Sequence, residues 1–138
     1  MTTQIFVNLP VKDLGRSTEF WTKVGFTFNQ QFTDENATSM VIDDEAGIYA
    51  MLLTEPFFKS FHDAGVPDPE QQREVIVALS VESRERVNEL VDNAVAAGAP
   101  KAGEPKEEGG FMYSRDFNDP DGHRWEILWM DMSAVPSE

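Results

Sequence analysis

The chain has 138 residues, 11 basic and 25 acidic side chains, a formal charge of −14 at neutral pH, and no cysteine. That length suits one domain with a core large enough to need no staples, and the missing cysteines exclude disulfides, thiolate metal centres, iron–sulfur clusters and a cysteine nucleophile. The acidity argues against nucleic acid and anionic membranes as partners, because both require a basic footprint. It is spread over both halves of the chain instead of sitting in a tail. Such a charge keeps the protein soluble, and it also sets up a field that attracts a cationic ligand. No apolar run is long enough to cross a bilayer, and residues 1–7 lack the basic start and apolar stretch of a signal peptide. A cytoplasmic location is therefore expected.

Residues 4–11 alternate: Ile5, Val7, Leu9 and Val11 fall on one side of a strand, with Gln4, Phe6, Asn8 and Pro10 on the other. Asp13 is placed to cap a helix whose apolar side carries Leu14, Ser17, Phe20, Trp21 and Val24, and Gly25 to end it. Three short strands are expected next, over 26–32, 38–42 and 48–54, separated by turn-forming residues. The same order then recurs. A strand is expected over 74–81, then a helix capped by Ser83 with Val87, Leu90, Val91, Ala94 and Val95 on its apolar side. Gly98 stops that helix, and strands follow over 102–107, 111–116 and 123–130. The pattern is a duplicated β-α-β-β-β unit, visible in periodicity and not in identity. The organisation expected is a single domain over 1–138. It comprises a first module 4–54, a connecting segment 55–73, a second module 74–130 and a frayed tail 131–138. The connecting segment holds Phe57, Phe58, Phe61 and His62 ahead of a polar, proline-containing stretch. Its aromatics either pack on the sheet or form a flap over a pocket.

Two stretches carry a resemblance: LPVKDLGRSTEFWTKVGF at 9–26 and DPDGHRWE at 119–126. With the paired modules over 4–130, the chain resembles the vicinal oxygen chelate superfamily, which includes glyoxalase I, extradiol dioxygenases, and fosfomycin- and bleomycin-resistance proteins. The resemblance implies an α+β fold in which tandem β-α-β-β-β modules form a curved mixed sheet with a cup-shaped cavity. It also implies a homodimer. Metal-dependent members hold a divalent ion with His, Gln and Glu from four strands, and the ion stabilises an anion formed on vicinal substrate oxygens. Carried onto this chain, the last-strand ligand is Glu126. The other three positions fall on Phe6, on Ile76 and near Leu52, with Met51 or Leu53 if the register slips by one. One carboxylate among four positions does not make a selective site for iron, zinc or nickel, so no cofactor is expected.

The function expected is metal-independent binding of a small, partly aromatic and cationic molecule in an apolar cup containing one carboxylate. This resembles the bleomycin-resistance branch, whose members lack the metal ligands and sequester the drug in an acidic dimer. The ligand-contacting set is Phe6, Asn8, Leu52, Ile76, Tyr113, Arg115 and Glu126, with Glu126 also the candidate general base. Alternatively Glu126 pairs with Arg124 or Arg115 or faces solvent, and Arg115 serves in a salt bridge. The competing reading is a glyoxalase-type lyase, isomerase or dioxygenase with a rearranged metal site built from Glu126 plus His62, Asn8 or Glu55. The two histidines are expected at the surface (His62) and at a turn edge (His123). The turn at 119–122 does not read as a calcium loop, because Pro120 occupies a required ligand position.

Overall fold

The computed structural model describes residues 3–134, and its contacts divide the chain into two units, Met1–Asp68 and Pro69–Glu138. In the first unit the order is β1 (Ile5–Val11), α1 (Leu14–Val24), β2 (Thr27–Asn29), β3 (Ala37–Asp43), β4 (Ile48–Thr54) and α2 (Glu55–Lys59). The sheet runs β1-β4-β3-β2, with β1 parallel to β4 and the other pairs antiparallel. Helix α1 begins where the sequence places it, because the Asp13 carboxylate accepts the Arg16 amide at 3.0 Å. It ends at Gly25, whose φ of 130° an L side chain rarely adopts. A cap of this kind is worth about 1 kcal/mol. Strand alternation puts Leu9, Val11, Met40, Ala50 and Leu52 on one side of the sheet. With Phe20, Trp21 and Val24 of α1 they form the buried core, each aliphatic side chain contributing about 1.5–3 kcal/mol. Pro10 is tolerated because β1 is an edge strand of this sheet.

The second unit repeats the plan with β5 (Ile76–Ser80), α3 (Arg84–Ala96), β6 (Lys106–Glu108), β7 (Met112–Asn118) and β8 (Arg124–Met130), in sheet order β5-β8-β7-β6. The Ser83 hydroxyl caps α3 by accepting the Arg86 amide at 3.0 Å. Val87, Leu90, Val91 and Ala94 of α3 are buried, as are Phe117, Trp125 and Ile127 of the sheet. The expected α+β class and both β-α-β-β-β modules are present, each as a four-stranded mixed sheet. No helix among the described residues is long and apolar enough to cross a membrane. Of the tail, Met132–Ala134 forms one 3₁₀ turn, and 135–138 lie outside the described residues.

Three elements differ from the sequence reading. The strand expected over 26–32 stops at Asn29, whose side chain accepts the Gln31 amide at 3.0 Å and turns Gln30–Phe32 into a 3₁₀ turn. The strand expected over 102–107 is confined to Lys106–Glu108. Pro105 has no amide to give a ladder, and the preceding residues meet β7 through isolated backbone bonds, Gly103 N–H to the Asp116 carbonyl at 2.9 Å and Asn118 N–H to the Pro100 carbonyl at 3.1 Å. The connecting segment contains a helix the sequence reading missed: α2 starts with Pro56 in its first turn and packs against β1 and β4.

Candidate functional site

Each sheet has a helix-packed side, against α1 or α3, and an opposite side, and strand parity decides which residues each presents. In the second unit, register pairs Glu126 with Ala78 of β5 and with Asp116 of β7. Ile76, Arg124 and Leu128 share that side. Glu126 is half-buried and, among the described residues, has no hydrogen bond or ion pair, because the cations near it in sequence are engaged elsewhere. Arg124 bridges to Asp116 at 2.7 Å and donates to Asn118 Oδ1 at 3.0 Å and to the Lys101 carbonyl at 2.7 Å. Arg115 bridges to Asp92 at 2.9 Å and donates to Asn88. Neither pairing considered for Glu126 therefore forms. Ile76, 57% exposed, supplies apolar surface beside it.

Tyr113 and Arg115 stand on the other side of this sheet. The Tyr113 hydroxyl donates to Asn88 Oδ1 of α3 at 2.7 Å, and Arg115 joins Asn88 and Asp92. Their odd positions in β7 put them there, one residue out of phase with Ser114 and Asp116. Expecting them beside Glu126 is corrected accordingly, and Arg115 holds the structural ion pair. Arg84 lies over the rings of Tyr113 and Trp129, 5.3 and 4.9 Å from their centroids, and pairs with Glu107.

In the first unit, Phe6 and Asn8 share a side with Tyr49, Met51 and Leu53. Phe6 stacks on Tyr49 with centroids 5.1 Å apart and planes 12° apart. Leu52 is corrected: it is fully buried on the α1 side, opposite Phe6 and Asn8, while Leu53 faces their way. Parity alone separates the two leucines. Leu53 was the register alternative to Leu52; Tyr49 was missed, although counting alternate residues back from Leu53 would have found it. The Tyr49 phenol donates to Asp44 Oδ1 at 2.6 Å, and this bond, followed by burial and the charges of Asp44 and Asp43, pushes its pKa up. A cavity of about 260 Å³ is lined by Asn8, Leu53, Phe58, Phe61 and His62. His62 is exposed, as expected, and accepts the Ala64 amide through Nδ1 at 3.1 Å.

The turn at 119–122 is built around a buried carboxylate. Asp119 Oδ1 accepts the amides of Asp121 and His123, both at 3.0 Å, and Oδ2 accepts Trp125 Nε1 at 3.0 Å. His123 lies at this turn and is buried.

The donors at the family's metal positions do not fit a divalent ion. Phe6, Ile76 and either leucine offer hydrocarbon, and Glu126 offers one carboxylate. Among the described residues, no group of three or more His, Cys, Asp or Glu is placed to hold a metal.

A close approach beside Glu126 gives a stability prediction. A Cβ on Gly103 would collide with Asp116 Oδ1 and come within 3.4 Å of Arg124 Nη2. Asp116 is fixed by Arg124, so it has little room to yield. Gly103→Ala is expected to cost about 1–3 kcal/mol, as overpacking does, measured by urea unfolding. A loss within about 0.5 kcal/mol, typical of unconstrained surface sites, would show that the Asp116–Arg124 pair moves freely.

Duplicated β-α-β-β-β units with one surviving carboxylate at a metal position define a class of protein, and comparison places the chain within it. It belongs to the Glyoxalase/Bleomycin resistance protein/Dioxygenase superfamily, whose model matches residues 4–127. Among solved structures, a hypothetical protein from S. aureus is 28% identical with a TM-score of 0.73, covering 94% of this chain and 95% of that one. A bleomycin-binding protein complexed with bleomycin is 19% identical with a TM-score of 0.66, covering 94% and 100%. A fosfomycin resistance protein from Listeria monocytogenes, complexed with Mn(II) and sulfate, is 20% identical with a TM-score of 0.68, covering 97% and 94%. No curated protein sequence matches the chain.

Proposed function

We propose that the protein binds a small, partly aromatic cation without a metal ion, using Glu126 as the countercharge. The observation that carries this reading is the half-buried carboxylate of Glu126, without a partner among the described residues while Arg124 and Arg115 are committed to Asp116 and Asp92. A carboxylate held this way lacks an internal counterion, and a ligand cation supplies one. Ile76 offers apolar surface on the same side of the second sheet. The charge of −14 favours encounter with cations. The structural likeness to a bleomycin-binding protein supports the class of small-molecule binder. The donor chemistry at Phe6, Ile76 and Leu52 or Leu53 supports independence from metal.

We also propose a cytoplasmic homodimer with no nucleic acid or membrane partner. Ile5, Phe6 and Val75, exposed on or beside the edge strands β1 and β5, are the apolar surface a second copy would cover. Light scattering should return twice the mass of one chain, and a monomer at micromolar concentration would remove this part.

The ligand class is tested with three one-ring probes of matched size: benzylammonium, benzyl alcohol and phenylacetate. Calorimetric titration at low ionic strength should rank them cation, neutral, anion. The cation should lead the alcohol by about tenfold, and this margin should narrow as salt is added. Equal affinities, or a preference for phenylacetate, would refute the proposal.

A further inference from the structure

We propose that the cavity of the first unit is a second binding site, independent of Glu126, for a neutral one-ring aromatic bearing an amide. The cavity measures about 260 Å³. An apolar cavity of about 150 Å³ accepts benzene, so this one admits a ring with a small polar substituent. Leu53, Phe58 and Phe61 supply apolar walls. The rings are positioned by spacing: residues four apart on α2 and the turn that follows it lie side by side. Phe57 meets Phe61 edge-on at 5.0 Å, and Phe58 meets His62 edge-on at 4.9 Å.

The two polar side chains lining the cavity are oriented by hydrogen bonds they already make. Asn8 spends an Nδ2 proton on the Phe6 carbonyl at 3.2 Å, which assigns its amide orientation and leaves Oδ1 as a free acceptor. His62 spends the Nδ1 lone pair on the Ala64 amide at 3.1 Å, so the proton of the neutral ring sits on Nε2, a donor. The cavity thus offers one acceptor, Asn8 Oδ1, and two donors, the second Asn8 Nδ2–H and His62 Nε2–H, among aromatic walls. An aryl amide answers both side chains, its N–H to Asn8 and its carbonyl to His62. A carboxylate accepts from His62 but leaves Asn8 Oδ1 without a donor. An amidinium satisfies Asn8 and sets an N–H against His62 Nε2–H.

The test is a heteronuclear NMR titration of the full chain with benzamide, benzoate, benzamidinium and toluene. Benzamide should shift the amide resonances of Asn8, Leu53 and residues 58–64 saturably, at least about fivefold more tightly than the other three, the worth of one hydrogen bond. Asn8→Leu and His62→Phe should each weaken benzamide by a similar factor, whereas Glu126→Gln should leave it unchanged. Any of three results would overturn the proposal: no saturable shift up to the solubility limit, equal affinity for all four probes, or benzamide binding untouched by both cavity variants. The ranking of probes on the unaltered protein decides the matter even if a variant fails to fold. Because Glu126→Gln is an arm of the same experiment, failure here and failure of the cation site are told apart.

Discussion

Replacing Asp119 with alanine should destabilise the second unit by about 3–5 kcal/mol, read as a fall in the urea midpoint. The carboxylate receives three N–H groups, the amides of Asp121 and His123 and the indole of Trp125, in a setting where Asp119 itself is 2% exposed. Alanine leaves those donors without their acceptor, and each buried orphan costs about 1–3 kcal/mol. The upper part of that range is not reached, because the turn keeps its backbone bonds from Gly122 N to Asp119 O and from Asp119 N to His123 O, both 2.9 Å. A loss under about 1 kcal/mol, the size of an ordinary substitution, would mean that water replaces the carboxylate easily.

The same carboxyl gives a pH dependence whose sign is fixed by burial. Burial pushes its pKa up, the His123 charge and the Trp125 and His123 hydrogen bonds pull it back, and the Asp121 charge adds to the rise. With the folded-state pKa above the unfolded one, the contribution to stability is complete below the unfolded pKa. It is lost as pH rises through the folded value. Asp119→Asn, which cannot titrate, should therefore cost most in acid and progressively less toward neutral pH. A cost that grows with pH would contradict a raised pKa.

Glu126→Gln should lower the affinity for benzylammonium by about 10- to 100-fold, the range for a hydrogen bond to a charged group, and leave benzyl alcohol nearly unchanged. The substitution keeps shape and removes charge, so the difference between the two probes isolates the electrostatic part. Stability should hold or rise slightly, since Glu126 has no partner among the described residues and lies across from a second carboxylate, Asp116. Equal losses for both probes would mean that the variant disturbed the pocket instead of its charge.

The fold was largely legible in the sequence because each element carried its own signal. Asp13 and Gly25 bracketed α1, Ser83 opened α3, and period-two alternation in β1 survived into the structure. What failed locally failed where a side chain or a proline overrode propensity, as Asn29 did by capping a turn and Pro105 by withholding an amide. The site was less legible. Glu126 and Ile76 fall on one side of the second sheet, as the motif spacing implied. Leu52, Tyr113 and Arg115 fall on the helix sides, because a one-residue phase error inverts every side chain in a strand. The cavity wall was hidden for a different reason: α2 follows a strand without a capping side chain, and its five residues are too few to show periodicity.

The most direct measurement pairs metal content with affinity on the same sample. Benzylammonium is titrated into protein exposed to manganese, iron, nickel and zinc and then freed of loosely held ions, and again after treatment with a strong chelator. The account predicts no ion retained in stoichiometric amount and the same affinity in both titrations. About one ion per chain, with binding lost on chelation and restored by Mn(II), would contradict it and show that a metal, not Glu126 alone, organises the site.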